Sequence, residues 1–112
     1  RLARAYYYEA EYSRAERVLT SIIANGTNNA LVYFTLGNLK DKMFDQTGAI
    51  NNWEKAISVN PNYPEAYYNI GVAYYKQNKI REAREYWRKV LALNPDSEIL
   101  RAAEDALNST GN

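Results

Sequence analysis

Apolar residues recur along the chain at helical spacing and in paired groups. Leu31, Phe34, Leu36, Leu39 and Met43 predict a helix from Ala30 to about Met43, and Ile50, Trp53, Ala56 and Ile57 mark the apolar face of a second. The pair then repeats. A shift of 34 places Tyr33 on Tyr67, Gly37 on Gly71, Lys42 on Lys76, Ala49 on Ala83, Trp53 on Trp87, Lys55 on Lys89, Asn60 on Asn94 and Pro61 on Pro95. The rare residues carry the match, since the 2 tryptophans of the chain lie one period apart. The same shift backwards gives a degenerate first copy: Leu2 falls under Leu36, Ala3 under Gly37, Ala15 under Ala49, Leu19 under Trp53 and Ile23 under Ile57. Beyond Ser97 the pattern lapses.

Turn chemistry punctuates the copies. Pro64 is placed for the first turn of a helix, where its missing N–H costs nothing. Asn78 suits a left-handed turn between helices. Asn60-Pro61 and Asn94-Pro95 stop the second helices, because the residue before proline is pushed out of the helical region. Gly37 and Gly71 are expected to let the second helix approach closely, with small Ala49 and Ala83 facing them. Trp53 and Trp87 are expected to fill the space between neighbouring pairs.

Tyr33-x-x-Leu36-Gly37, Ala49-x-x-x-Trp53 and Pro61, followed by Tyr67-x-x-Ile70-Gly71-x-x-Tyr74, Ala83-x-x-x-Trp87 and Pro95, resemble the tetratricopeptide repeat. The resemblance implies an all-α fold, a right-handed α-solenoid of about seven helices in antiparallel pairs. The implied organisation is a single domain: a truncated repeat at 1–29, repeats at 30–63 and 64–97, and a capping helix and tail at 98–112. The cap would bury Ile99, Leu100, Ala103 and Leu107 and expose Glu98, Arg101, Glu104 and Asp105. Two departures stand out. Lys40 replaces a usual aromatic, and Phe44 stands where the inter-helix turn usually has glycine, so that turn is expected to be distorted, with Gly48 taking part. The chain starts at Arg1, inside a copy, and is read as a piece of a longer one. Its tail, Asn108 to Asn112, is expected to fray.

The sequence of 112 residues contains 11 tyrosines. Tyr6, Tyr33, Tyr67 and Tyr74 fall on packing faces, Tyr12 at a packing position, Tyr63 in a loop and Tyr86 on the outer face. A second stripe on each first helix has no such role. It runs Leu31, Phe34, Thr35, Asn38, Asp41 and Lys42 in one copy, and Glu65, Tyr68, Asn69, Val72, Tyr75 and Lys76 in the next. Arg4, Tyr7 and Tyr8 supply it in the truncated copy. In the family's geometry these stripes line the concave side. The candidate peptide-binding groove is therefore Arg4, Tyr7, Tyr8, Phe34, Thr35, Asn38, Lys42, Tyr68, Asn69, Val72 and Tyr75, with Asn38 and Asn69 as holders of a peptide main chain.

Some tetratricopeptide domains clamp a chaperone's terminal carboxylate with lysine, arginine and asparagine. Here Asn38 and Asn69 match, but Phe34, Ile99 and Ala103 occupy the cationic places. A register one copy earlier, with Arg4, Thr35, Glu65 and Asn69, fits none. A desolvated carboxylate without a cation costs several kcal/mol, so this clamp is not expected.

The remaining chemistry is sparse. With no histidine and no cysteine, the chain lacks the usual general base near pH 7, zinc-thiolate sites and disulfides. A net charge of +1 argues against nucleic acid, and no apolar run is long enough for membrane insertion. The excess of cations in 64–97 reads as a solvated face with an Arg81–Glu85 pair. Asn25-Gly26-Thr27 and Asn108-Ser109-Thr110 fit the short glycosylation pattern. The expectation is a non-catalytic scaffold, with no cofactor and no metal, that binds a peptide or helix of another protein. The alternatives are a self-association module forming homo-oligomers and a regulatory domain of a larger enzyme or assembly factor.

Overall fold

The structure, a computed structural model, describes residues 2–111, with side chains described for 10–96 and 98–111. Six helices and no strand are present among the described residues: α1 (Leu2–Ala24), α2 (Ala30–Lys42), α3 (Gln46–Val59), α4 (Pro64–Lys76), α5 (Ile80–Leu93) and α6 (Ser97–Thr110). They form two compact units, Arg1–Val59 and Asn60–Asn112.

In the first unit, Asn29 caps α2, its side chain accepting from the Leu31 amide at 2.8 Å. The helix stops at a turn in which Phe44 adopts a left-handed φ of 63°. Asp45 then opens α3 by accepting the Gly48 amide at 3.0 Å. This turn is not distorted: Asn78, one period on, has the same φ of 63°, and Gly48 sits inside α3. Phe44 takes the glycine position itself, and at 92% exposed its ring packs on nothing. The core holds Leu36, Leu39, Ala49, Ile50, Trp53 and Ala56. Lys40, the cation in an aromatic's place, ion-pairs with Glu16 of α1. Both side chains are partly buried, so the pair puts a charge contact between helices where the aromatic would stand.

The second unit repeats the hairpin and adds a third helix. Pro64 opens α4, Asn78 turns the chain, and Asn94 ends α5 in a left-handed conformation with φ 52°. Its core is Ala66, Ile70, Ala73, Ala83, Trp87, Val90 and Ala103. Ala103 comes from α6, which packs on α5 with Glu98, Arg101, Glu104 and Asp105 in water, as expected of a cap. The tail does not fray where expected. Arg84 Nη1 donates to the Leu107 carbonyl at 2.7 Å and to Thr110 Oγ1 at 3.0 Å, which carries the helix to Thr110.

Two further sequence expectations change. The truncated copy is one continuous helix rather than two, which makes six helices instead of about seven. Ala10 stands at the register of Phe44 and Asn78, and the segment Glu9 to Ser13 has no glycine, proline or asparagine to break a helix. The tryptophans meet the glycines of their own pairs, and Trp87 also shares a core cluster with Ala103 of α6. A Cβ at Gly37 would meet Trp53 Nε1 at 2.5 Å, and one at Gly71 would meet Trp87 Cδ1 at 2.7 Å. The glycines therefore make room for the indoles, not for Ala49 and Ala83.

Candidate interaction faces

The stripe on α2 belongs to the first unit. Leu31 is 59% exposed, Thr35 and Lys42 are exposed, and Phe34 and Asn38 are half-buried. Asn38 Oδ1 accepts the Trp53 indole N–H at 3.1 Å, so this side chain ties α2 to α3. A structural duty of this kind is invisible to spacing, which sees only that Asn38 shares a face with Phe34. Arg4, Tyr7 and Tyr8 lie outside the residues whose side chains are described.

The stripe on α4 belongs to the second unit. Tyr68, Asn69 and Val72 are half-buried, and Tyr75 is 49% exposed. Tyr68 and Tyr75 share one face of α4, and both rings lie against Trp87, with centroids 6.5 and 6.1 Å away. Trp87 in turn donates to the Tyr68 carbonyl at 3.3 Å. Tyr68 and Val72 pack on the cluster of Ala83, Trp87, Val90 and Ala103, as do Ile99 and Ala106 of α6. Tyr68 thus has the core contact that the sequence does not reveal, while Tyr75 keeps half its surface in water. The result is a rigid aromatic shelf with one well-packed ring and one open ring.

The other tyrosines of this unit form a second group. Tyr86 lies 6.2 Å from Tyr67 and 5.7 Å from Tyr74. Lys89 covers Tyr86 at 5.2 Å and Tyr67 at 5.9 Å, and Lys79 covers Tyr74 at 5.9 Å. Part of the cationic excess is therefore used in cation–π contacts. Arg81 and Glu85 form no ion pair, although their spacing permits one. With Ile80, Arg84 and Arg88 they line a shallow pocket of about 540 Å³ on α5. Tyr63, just before α4, has its pKa raised above 10.0 by burial and then by the Glu65 carboxylate. No group of acidic residues able to hold a metal occurs among the described residues. No described helix is long and apolar enough to cross a membrane.

Paired helices sealed by a glycine–tryptophan contact, with aromatic and polar side chains turned outward from the first helix, define a helical-repeat interaction scaffold. A TPR repeat model matches residues 45–78 and a tetratricopeptide repeat model matches 64–97. The chain belongs to the tetratricopeptide repeat family. It is 30% identical over 94 residues to a TPR repeat-containing protein of Methanocaldococcus jannaschii, covering 78% of this chain and 16% of that one. It is 34% identical over 87 residues to the small glutamine-rich tetratricopeptide repeat-containing protein 2 of Saccharomyces cerevisiae, covering 78% and 23%. The chain thus spans under a quarter of the length of these curated relatives. Among solved structures, the second TPR domain of human RPAP3, in complex with the HSP70 peptide SGPTIEEVD, superposes with a TM-score of 0.77 at 25% identity, covering 97% of this chain and 88% of that one. The Yersinia enterocolitica secretion chaperone SycD, in complex with a YopD peptide, shares the fold with a TM-score of 0.83 at 15% identity, over 97% and 86%.

Proposed function

We propose that the chain is a protein-binding module in which a first-helix face, that of α4 in the second unit or that of α2 in the first, holds an extended or helical segment of a partner through an apolar or aromatic anchor. The observation that carries this reading is the shelf of Tyr68 and Tyr75 on Trp87. Tyr75 is half exposed although it stacks on a buried indole, so a partner gains contact area without ordering a floppy side chain. Leu31, Thr35 and Lys42 offer a comparable exposed edge on α2. Peptide complexes of RPAP3 and SycD, which share this fold, support a peptide as the class of ligand.

The anchor differs from a terminal carboxylate. Phe34 and Ile99 are apolar, and Ala103 is fully buried, so no cation stands at the places a carboxylate clamp needs. Affinity near micromolar, about −8 kcal/mol, is expected for a shallow face and a flexible ligand.

Selection of a displayed library of short random peptides on the chain tests the reading. Enriched peptides should carry an aromatic or large apolar anchor. The variant Phe34→Ala/Tyr68→Ala/Tyr75→Ala should bind them about 10-fold or more weakly at unchanged helix content. Enrichment of acidic carboxyl-terminal peptides instead, or equal binding by the triple variant, would sink the proposal.

A further inference from the structure

Cations of the 64–97 repeat fall into two groups. Lys79 and Lys89 cover the rings of Tyr74, Tyr67 and Tyr86. Arg81, Arg84 and Arg88 form the other group. Their spacing of three and then four residues puts them in one row along α5, roughly 10 Å long at 1.5 Å per residue. With Ile80 and Glu85 they line the shallow pocket of about 540 Å³. The row lies off the sealed side of α5, where Ala83, Trp87 and Val90 are each at most 3% exposed.

This row is not neutralised. Glu85 stands four residues after Arg81 and three before Arg88, yet it pairs with neither, and neither arginine forms an ion pair among the described residues. Three guanidiniums against one carboxylate leave two positive charges in excess. Arg81 stands in the first turn of α5, where the helix dipole is itself positive and adds to the field. Glu82, the acid of that turn, lies about 100° round the helix from Arg81. Arg84 is already ordered, since its Nη1 donates to the Leu107 carbonyl and to Thr110 Oγ1. A carboxylate arriving there meets a guanidinium whose orientation is fixed, so less freedom is lost on binding.

We propose that this row is a second docking surface, whose occupant is an acidic helical segment of a partner protein. Charge complementarity sets the chemistry of the occupant, and the spacing of the row sets its shape. A helix lying antiparallel on α5, with carboxylates at i, i+4 and i+7, places one against each of Arg88, Arg84 and Arg81 in turn. In an extended strand, same-side residues recur at about 6.7 Å and overshoot the steps of roughly 4.5 and 6 Å along the row. The antiparallel arrangement also brings the negative end of the partner helix to the positive end of α5. The surface is separate from the shelf of Tyr68 and Tyr75, so either can fail without the other.

Fluorescence anisotropy tests this with the 112-residue chain and a labelled alanine-rich helical peptide carrying glutamates at i, i+4 and i+7. Binding should saturate and fall as salt rises. Arg81→Gln/Arg88→Gln should weaken it about 10-fold, and Glu85→Gln should strengthen it about 3-fold by removing the like charge from the row. All three residues are exposed, so circular dichroism should show unchanged helix content in both variants. Phe34→Ala/Tyr68→Ala/Tyr75→Ala should leave this binding unchanged. A peptide of the same composition, with its glutamates spread around the helix, should bind about 10-fold more weakly. Equal binding of that peptide would reduce the effect to net charge. Indifference to the arginine and Glu85 variants would place the contact elsewhere. Tighter binding of a short duplex DNA, lost in the arginine variant, would give the row to nucleic acid. Self-association of the chain, lost in the same variant, would give it to a second copy. Each of these four results overturns the proposal.

Discussion

Replacing Gly71 by alanine probes the contact on which the second unit is built. A Cβ at this position would lie 2.7 Å from Trp87 Cδ1 and 3.0 Å from Cε2, closer than side-chain carbons pack. The indole has nowhere to go. It is 3% exposed, its N–H is bonded to the Tyr68 carbonyl, and the rings of Tyr68 and Tyr75 lie against it. Overpacking of this kind costs about 1–3 kcal/mol, and a clamped indole belongs at the upper end. Alanine also recovers about 1 kcal/mol of helix propensity over glycine. The net expectation is a loss of about 2 kcal/mol, or roughly 8 °C in Tm. Urea unfolding followed by far-ultraviolet circular dichroism measures it. The decisive control is the same substitution in a Trp87→Leu background, where the clash is gone and Gly71→Ala should be neutral or stabilising. A coupling of about 2–3 kcal/mol in this cycle locates the effect in the glycine–indole contact. An equal cost in both backgrounds, or no cost in the presence of Trp87, would refute the packing argument.

Phe44→Gly should stabilise the first unit by about 1 kcal/mol, since the left-handed conformation is strained for phenylalanine and its exposed ring gives up no contact; a lowered Tm would count against this. Arg84→Ala should open the last turn of α6 at a cost of about 1 kcal/mol, visible as faster amide exchange over residues 107–110. Lys40→Ala should destabilise by about 1–2 kcal/mol by leaving Glu16 in a partly buried place, and Glu16→Ala added to it should recover most of the loss. At high pH, Tyr63 contributes in a defined direction. Its folded pKa is raised, so its share of stability is complete below pH 10.0 and is lost as pH climbs through the folded value; Tyr63→Phe should flatten that alkaline decline, and an unchanged profile would exclude Tyr63 as its source.

Much of the architecture is readable in the residues because a repeat states its own packing twice. Pro64, Asn78 and Asn94 each obey a local rule, and each stands in the structure at the position that rule predicts. The partners of those residues are harder to read. Spacing assigns Trp53 and Trp87 to large buried positions but cannot say what they press against, since the choice between their own pair and a neighbouring one depends on the distance between helix axes. The same limit applies to the faces. Helical periodicity places Asn38 and Tyr68 beside Phe34 and Tyr75, yet Asn38 accepts an indole N–H and Tyr68 stacks on Trp87. Both duties involve a second helix, and one helix's pattern carries no information about the other's atoms.

α1 shows the converse. A 34-residue period records which side chains must be covered, not where the backbone must turn. In the later copies the turn has its own support: Asp45 caps α3 in one, and Asn78 adopts the left-handed conformation readily in the other. In the first copy Ala10 and Glu11 occupy those places, and neither residue favours leaving a helix. The backbone follows local propensity and stays straight, while Ala15, Leu19 and Ile22 retain the composition of a face meant to be covered.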